Sequence, residues 1–222
     1  MTQLPLPLGH RPALGREDFL VAPANAEAVA WIDRWPDWPA PAVVLHGPPG
    51  CGKSHLAEVF AAVSGAVVLA GREAPAVDPP RLLAEAPAVV IDDADAGLDE
   101  AALFHLYNGA REAGRHLLLT ARRAPGRWVA LADLRSRLSA CPAVAIGPPD
   151  DAVMAAVLIK LFADRQLKVG TEVITYLLRH MERSFAAAQG VVAEADGLSL
   201  AERRGVTVPL VRRVLDGRNR PP

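Results

Sequence analysis

The chain has 222 residues, 51% of them apolar, with 24 Lys and Arg set against 25 Asp and Glu for a formal charge of −1. That length accommodates one α/β domain and a smaller second one, and near-neutrality argues against a protein held on nucleic acid by net charge alone. No apolar run reaches membrane-span length, no basic-then-apolar leader opens the sequence, and two distant cysteines, Cys51 and Cys141, make no disulfide framework, so a soluble, cytoplasmic protein is expected.

Residues 1–16 are rich in proline and lack a period, which reads as an extended arm. Glu17 to Trp35 carries a helical pattern with Asn25 as its N-cap, and Trp35 to Pro41 is a turn-rich connector. Trp31, Trp35 and Trp38 recur near i, i+4 and i+7, a spacing that suits helix packing better than a base-stacking platform. Short apolar runs at 42–46, 66–70, 88–92, 115–120 and 143–146 then alternate with helical patterns at 53–63, 79–85, 98–113 and 131–138. Five such strands predict a parallel sheet covered on both faces. Beyond Pro148 the strand signal stops, and Asp151–Arg165, Thr171–His180, Arg183–Ala195 and Thr207–Leu215 all read as helices. The expected division is therefore an arm at 1–16, an α/β domain at 17–148 and an all-helical domain, packed as a lid, at 149–222.

The sharpest signal is Gly47-Pro48-Pro49-Gly50-Cys51-Gly52-Lys53-Ser54, a G-x-x-x-x-G-K-[ST] phosphate loop. Its glycines let successive N–H groups turn toward a triphosphate. Lys53 supplies a point charge, Ser54 a hydroxyl for Mg²⁺, and the helix continuing through His55 presents its positive end. Strand, loop and helix follow in the order the motif requires. Val89-Val90-Ile91 runs into Asp92 and Asp93; Asp92 is the metal candidate with Ser54, and Asp93 a candidate to orient an attacking water. Thr120 ends the 115–120 strand, where it could reach a terminal phosphate or its water. Arg135 and Arg137 share a short helix, and spacing alone does not separate either from an ordinary surface charge. Arg183 opens a lid helix and could close over the phosphates. Cys51, near a helix N-terminus and Lys53, is expected to have a lowered pKa and to be oxidisable. The six histidines show no zinc-ligand spacing. Arg203, Arg204, Arg212 and Arg213 read as solvated faces or partner contacts.

Together these pieces resemble the DnaA branch of the AAA+ ATPases over nearly the whole chain. The anchors are Asp18-Phe19-Leu20-Val21, the phosphate loop, Val90-Ile91-Asp92-Asp93, Leu103-Phe104-His105-Leu106-Tyr107-Asn108, Leu119-Thr120 with Arg122, and Asp133-Leu134-Arg135-Ser136-Arg137-Leu138. The resemblance implies a P-loop AAA+ module that binds ADP or ATP with Mg²⁺. It places Thr120 in the sensor 1 region, Arg137 at the arginine finger and Arg183 at sensor 2, with Phe19, Leu20, Val21 and Asn25 packing the adenine. DnaA itself adds a helix-turn-helix DNA reader after its lid; this sequence runs only to Pro222, so no sequence-specific DNA binding is expected. Gln3-Leu4-Pro5-Leu6-Pro7-Leu8 is similar to the sliding-clamp-binding peptide of the Hda-type regulatory inactivators of DnaA. Such a hexapeptide buries Leu4, Leu6 and Leu8 in a groove, Gln3 adds hydrogen bonds, and Pro5 and Pro7 keep it extended. The Hda resemblance implies a replisome-associated regulator that carries nucleotide, docks on the clamp (the polymerase beta subunit) and promotes hydrolysis of DnaA-bound ATP, with slow turnover of its own. Homodimer and mixed oligomer with DnaA both stay open. The rival reading is an autonomous AAA+ ATPase, such as a helicase loader, using Asp93 in cis and Arg137 across a homo-oligomer.

Overall fold

The structure is a computed structural model and describes residues 21–76 and 78–218. The clamp-peptide candidates Gln3, Leu4, Leu6, Pro7 and Leu8, and the adenine-side candidates Phe19 and Leu20, lie outside the described residues.

Five strands form one sheet: β1 Ala42–His46, β2 Val67–Ala70, β3 Ala88–Asp92, β4 His116–Ala121 and β5 Ala143–Ala145. Every pairing is parallel and the spatial order is β2-β3-β4-β1-β5. Because side chains alternate across a sheet, each continuous apolar run feeds two cores. Val44, Val89, Ile91, Leu117 and Leu119 pack with Leu103, Tyr107 and Leu134 on one face. Val43, Leu45, Val90 and Leu118 pack with Ile32, Leu56 and Phe60 on the other. This is why β1, β3 and β4 carry no polar alternation: both faces are covered, and each fully buried Leu or Ile contributes roughly 1.5–3 kcal/mol.

The covering helices are α1 Ala26–Asp33, α2 Lys53–Ser64, α3 Pro79–Glu85, α4 Glu100–Glu112 and α5 Ala132–Ser139. Local sequence sets their ends. Asp99 Oδ1 accepts from Ala101 N at 2.8 Å and Ala102 N at 3.3 Å to start α4, and Pro79 occupies the first turn of α3, where its missing N–H costs nothing. Two expectations need correction. In the described part of the 17–35 segment, helix begins only at Ala26; Asn25 holds the N-cap position as expected, but its side chain makes no capping hydrogen bond. Instead Asn25 Oδ1 accepts from Ala22 N at 2.8 Å, folding residues 22–25 into a turn. The three tryptophans are not on one helix either: α1 ends at Asp33, and Trp35 and Trp38 belong to the connector. They do pack, since Trp38 stacks on Phe60 at 5.3 Å, Trp35 meets the same ring edge-on at 5.9 Å, and Trp38 Nε1 donates to Trp31 O at 2.7 Å.

After β5 the chain is helical: α6 Asp151–Asp164, α7 Thr171–His180, α8 Phe185–Glu202 and α9 Val208–Arg218. Leu158, Phe162, Val173, Leu177, Val192 and Val211 form a core separate from those of the sheet. Asp150 caps α6 through Val153 N at 2.8 Å and Ser184 caps α8 through Ala187 N at 3.0 Å. Helix α8 runs past the expected residue 195 to Glu202, through Gly190 and Gly197, and ends where Arg203 turns left-handed. The lid arginines serve its own surface: Arg213 pairs with Glu202 and Arg218 with Glu194, each at 2.7 Å. Among the described residues no helix is long and apolar enough to cross a membrane.

Candidate functional site

In this strand order the chain leaves β1 toward β2 on one side of the sheet and later reaches β5 on the other. The crevice beyond the carboxyl end of β1 is thus the switch point where open parallel sheets bind ligands. The phosphate loop fills it. Gly50 and Gly52 have φ of 71° and 100°, a region that charges an L-residue roughly 1–2 kcal/mol. Lys53 opens α2, is 6% exposed, and its Nζ donates to Gly47 O at 3.0 Å and Pro48 O at 2.9 Å. The ammonium is thereby held over the loop. The N-cap of α2 is Gly52, which offers no side chain to its first turn, so those N–H groups are left to an anion. His55 lies partly buried in that same turn.

Strand register builds the acidic half. Leu45 pairs with Thr120 and Ile91 with Leu119, which sets Asp92 beside Thr120 and both beside the loop. Asp92 Oδ1 accepts from Ser54 Oγ at 3.2 Å and from Thr120 Oγ1 at 2.5 Å. Thr120 Oγ1 in turn accepts from Asp93 N at 2.9 Å. Thr120 is fully buried, so its hydroxyl is directed to the two aspartates and wires them together. Asp93 adopts a left-handed φ of 52°, which Asp tolerates better than most side chains, and its carboxylate is exposed. The Ser54 hydroxyl and the Asp92 carboxylate suit Mg²⁺, which binds through one or two protein oxygens plus water and substrate phosphates. Among the described residues no cluster of three or more His, Cys, Asp or Glu could hold an ion unaided. Ser54 and Asp92 therefore fit a metal that arrives with a nucleotide.

The lid meets the loop directly. Phe185 N donates to Gly50 O at 2.9 Å, and a Cβ on Gly50 would lie 2.3 Å from Ser184 Cβ. The Phe185 ring covers Gly52, 3.1 Å from where its Cβ would be. Arg183 directly precedes this contact, and its Nη2 lies 2.9 Å from Asp151 Oδ1. On the other side, Gly147 N donates to Ala24 O at 3.1 Å, and the Ile146 carbonyl packs against Gly47. Asn25 is buried and Val21 exposed in the segment that joins this corner.

Arg137 lies on α5, which packs against α4. Its guanidinium stands 5.0 Å over the Phe104 ring and 6.0 Å from that of Tyr107, a cation–π arrangement, while Arg135 is exposed. Glu100 of α4 accepts from Ala130 N and Leu131 N and fixes where α5 begins. The structure thus separates the two arginines that spacing left equivalent. Cys51 departs from expectation. It is 3% exposed, and burial pushes its thiol up, outweighing the opposing pull of the Lys53 charge. A buried, protonated thiol is not a reactive one. Burial first, and then Lys53, also lowers the pKa of His46. Sequence reasoning missed the Ser184–Phe185 docking, the Asp151–Arg183 pair and the Glu100 clamp, all of which join residues far apart in sequence. Only Ser184, an N-cap type before a helical run, carried a local signal.

Comparison with known proteins adds the context. Residues 151–215 match the family described as Hda, lid domain. Domain III of the Thermotoga maritima replication initiation protein DnaA superposes with a TM-score of 0.80 at 17% identity, covering 95% of this chain and 99% of that one. AMPPCP-bound DnaA from Aquifex aeolicus superposes with a TM-score of 0.69 at 20% identity, over 87% of this chain and 69% of that one. The Thermotoga maritima RuvB Holliday junction branch migration motor gives 0.62 at 16% identity, over 79% and 61%. The chain therefore has the fold of DnaA domain III, with a phosphate loop at the switch point of its five-stranded parallel sheet, and its residues 151–215 match the Hda lid family.

Proposed function

We propose that this protein binds ADP or ATP with Mg²⁺ in its phosphate loop and, in that state, promotes hydrolysis of ATP held by DnaA. The observation that carries the reading is the Hda lid match at 151–215 on a fold of DnaA domain III type. Lys53 would exchange its loop carbonyls for the outer phosphates, and Gly47, Pro48, Pro49, Gly50, Cys51 and Gly52 would line them with backbone. Ser54 and Asp92 would hold the metal, while Asn25 and Val21 border the base. Mg²⁺ would neutralise phosphate charge. The protein's own acids do the rest of the orienting, with Thr120 fixing Asp92 and Asp93 in relation to each other.

Arg137 is the proposed finger toward the nucleotide of DnaA. Its place on α5 and its aromatic support suit a guanidinium presented to a neighbour. An arginine supplied in trans is worth roughly 10³–10⁵ in rate. The arm residues Gln3–Leu8 are the proposed clamp-binding peptide, and residues 9–16 would tether the module within about 26 Å at roughly 3.3 Å per residue. The protein would then act at the cytoplasmic nucleoid, on clamp and DnaA together, as a negative regulator of replication initiation.

The test is hydrolysis of ATP pre-bound to DnaA, with DNA-loaded clamp and this protein carrying ADP. Acceleration that disappears on deleting residues 1–8 supports the reading. No acceleration, with ATP turnover by this protein alone, favours the autonomous ATPase, for which the exposed Asp93 carboxylate beside Asp92 is the specific support.

A further inference from the structure

Arg183 has a partner within the lid itself. Its guanidinium lies 2.9 Å from the Asp151 carboxylate. Asp151 is the first residue of α6, where the chain leaves the sheet, and Arg183 directly precedes the Ser184–Phe185 step that rests on Gly50. The ion pair therefore joins the first residue of the helical bundle to its point of contact with the phosphate loop. The helix start does not need this carboxylate, because Asp150 caps α6. Nor does Ser184 need Arg183 to stay docked, because Phe185 N bonds Gly50 O and Ser184 Oγ caps α8. What the carboxylate does is engage the lid arginine that directly precedes the contact with the loop.

A guanidinium fork serves a carboxylate or a phosphate, and commitment to one takes its donors from the other. We infer that Asp151 is an internal competitor for Arg183, and so an affinity-setting residue for the nucleotide site. The inference rests on the nucleotide reading above. To reach a phosphate in the loop, Arg183 must leave Asp151, and the lost pair is subtracted from binding. The side chains are 59% and 61% exposed, so the exchange is shallow and reversible rather than a lock. An exposed pair of this kind corresponds to an effect of roughly two- to fivefold in affinity. The effect falls on whichever nucleotide presents a phosphate within reach of Arg183.

The experiment is a titration of the full chain with ADP and with ATP, each with Mg²⁺, for the wild type, Asp151→Asn, Arg183→Ala and the double variant, with circular dichroism confirming the fold of each. Asp151→Asn is expected to bind at least one nucleotide about two- to fivefold more tightly, and the gain is expected to vanish in the Arg183→Ala background. Unchanged affinity in Asp151→Asn overturns the inference. So does an equal gain in both backgrounds, because the carboxylate would then act only as a negative charge near the phosphates. If the wild type binds neither nucleotide, the nucleotide reading itself falls and the inference with it. Wild-type binding with an indifferent Asp151→Asn removes the inference alone.

Discussion

Replacing Thr120 with Val tests whether this residue is a wire between two aspartates or a free sensor of phosphate. Val matches the shape of Thr and suits a fully buried strand position, so packing changes little. Two hydrogen bonds are lost. The bond to Asp92 Oδ1 goes to an ionised acceptor, a class worth roughly 1.5–3 kcal/mol. The bond from Asp93 N leaves a partly buried donor without its acceptor, a loss of about 1–3 kcal/mol. Both share one hydroxyl, and Ser54 still reaches Asp92, so the sum is less than additive and about 2–4 kcal/mol is expected. For a chain of this size that lowers Tm by roughly 5–15 °C. The assay is thermal and urea unfolding of nucleotide-free protein, with Thr120→Ser as the control that keeps the hydroxyl. Thr120→Val within about 0.5 kcal/mol of wild type in the absence of nucleotide, with a defect appearing only when ATP is added, would refute the wiring and restore the phosphate-sensing role.

Arg137→Ala is expected to retain nucleotide and clamp binding while stimulation of DnaA-bound ATP hydrolysis falls by at least about 10³; retained stimulation would move the finger to Arg135 or overturn the mechanism. Replacing Leu6 and Leu8 together by Ala is expected to abolish clamp binding, read by surface plasmon resonance on immobilised clamp, without lowering Tm; a lowered Tm would contradict the arm assignment. The half-buried imidazoles of His46 and His116 both have pKa values pushed below the ordinary 6.5 by partial burial and, at His46, by Lys53 as well. Each therefore holds fewer protons folded than unfolded, and acid favours the unfolded chain. Their contribution is complete above about pH 7.5 and declines as pH falls through 6.5. Urea midpoints measured from pH 8 to 5.5 should drop on the acid side, and drop less in His116→Phe; an unchanged slope would show that His116 carries no such linkage.

The sheet was legible because its signal is local. Runs such as Ala42–His46 and Ala88–Asp92 are buried on both faces and have nowhere polar to alternate, and their observed bounds coincide with the expected ones. The phosphate loop was legible because glycine spacing and a lysine are needed together. Helix ends were less so. The 17–35 pattern overran because Asn25 serves a turn through Ala22, and α8 was cut short because tertiary packing carries it past two glycines. At Gly190 the missing side chain is what admits Arg218, whose guanidinium lies 2.3 Å from the Cβ position on its way to Glu194. The pKa of Cys51 was misjudged because a helix N-terminus and a lysine are visible in sequence, whereas burial is not. The pairing of Arg183 with Asp151 and the support of Arg137 by Phe104 depend on which helices become neighbours, which no local pattern states.

The contact between Ser184 and Gly50 also bears on how such a protein can be recombined. The side chain of Ser184 occupies the volume a Cβ on Gly50 would need, so base and lid share a single steric pocket at that point. A lid grafted from a relative with a larger residue at this position would wedge the loop open, even if each half folded well alone. Chimeras that keep a small residue there should tolerate wide variation across the rest of the lid, whose core of Leu158, Phe162, Leu177 and Val211 is its own. The portable unit is therefore the helical bundle from Asp151 onward, and its seam with the loop runs through Ser184 and Phe185.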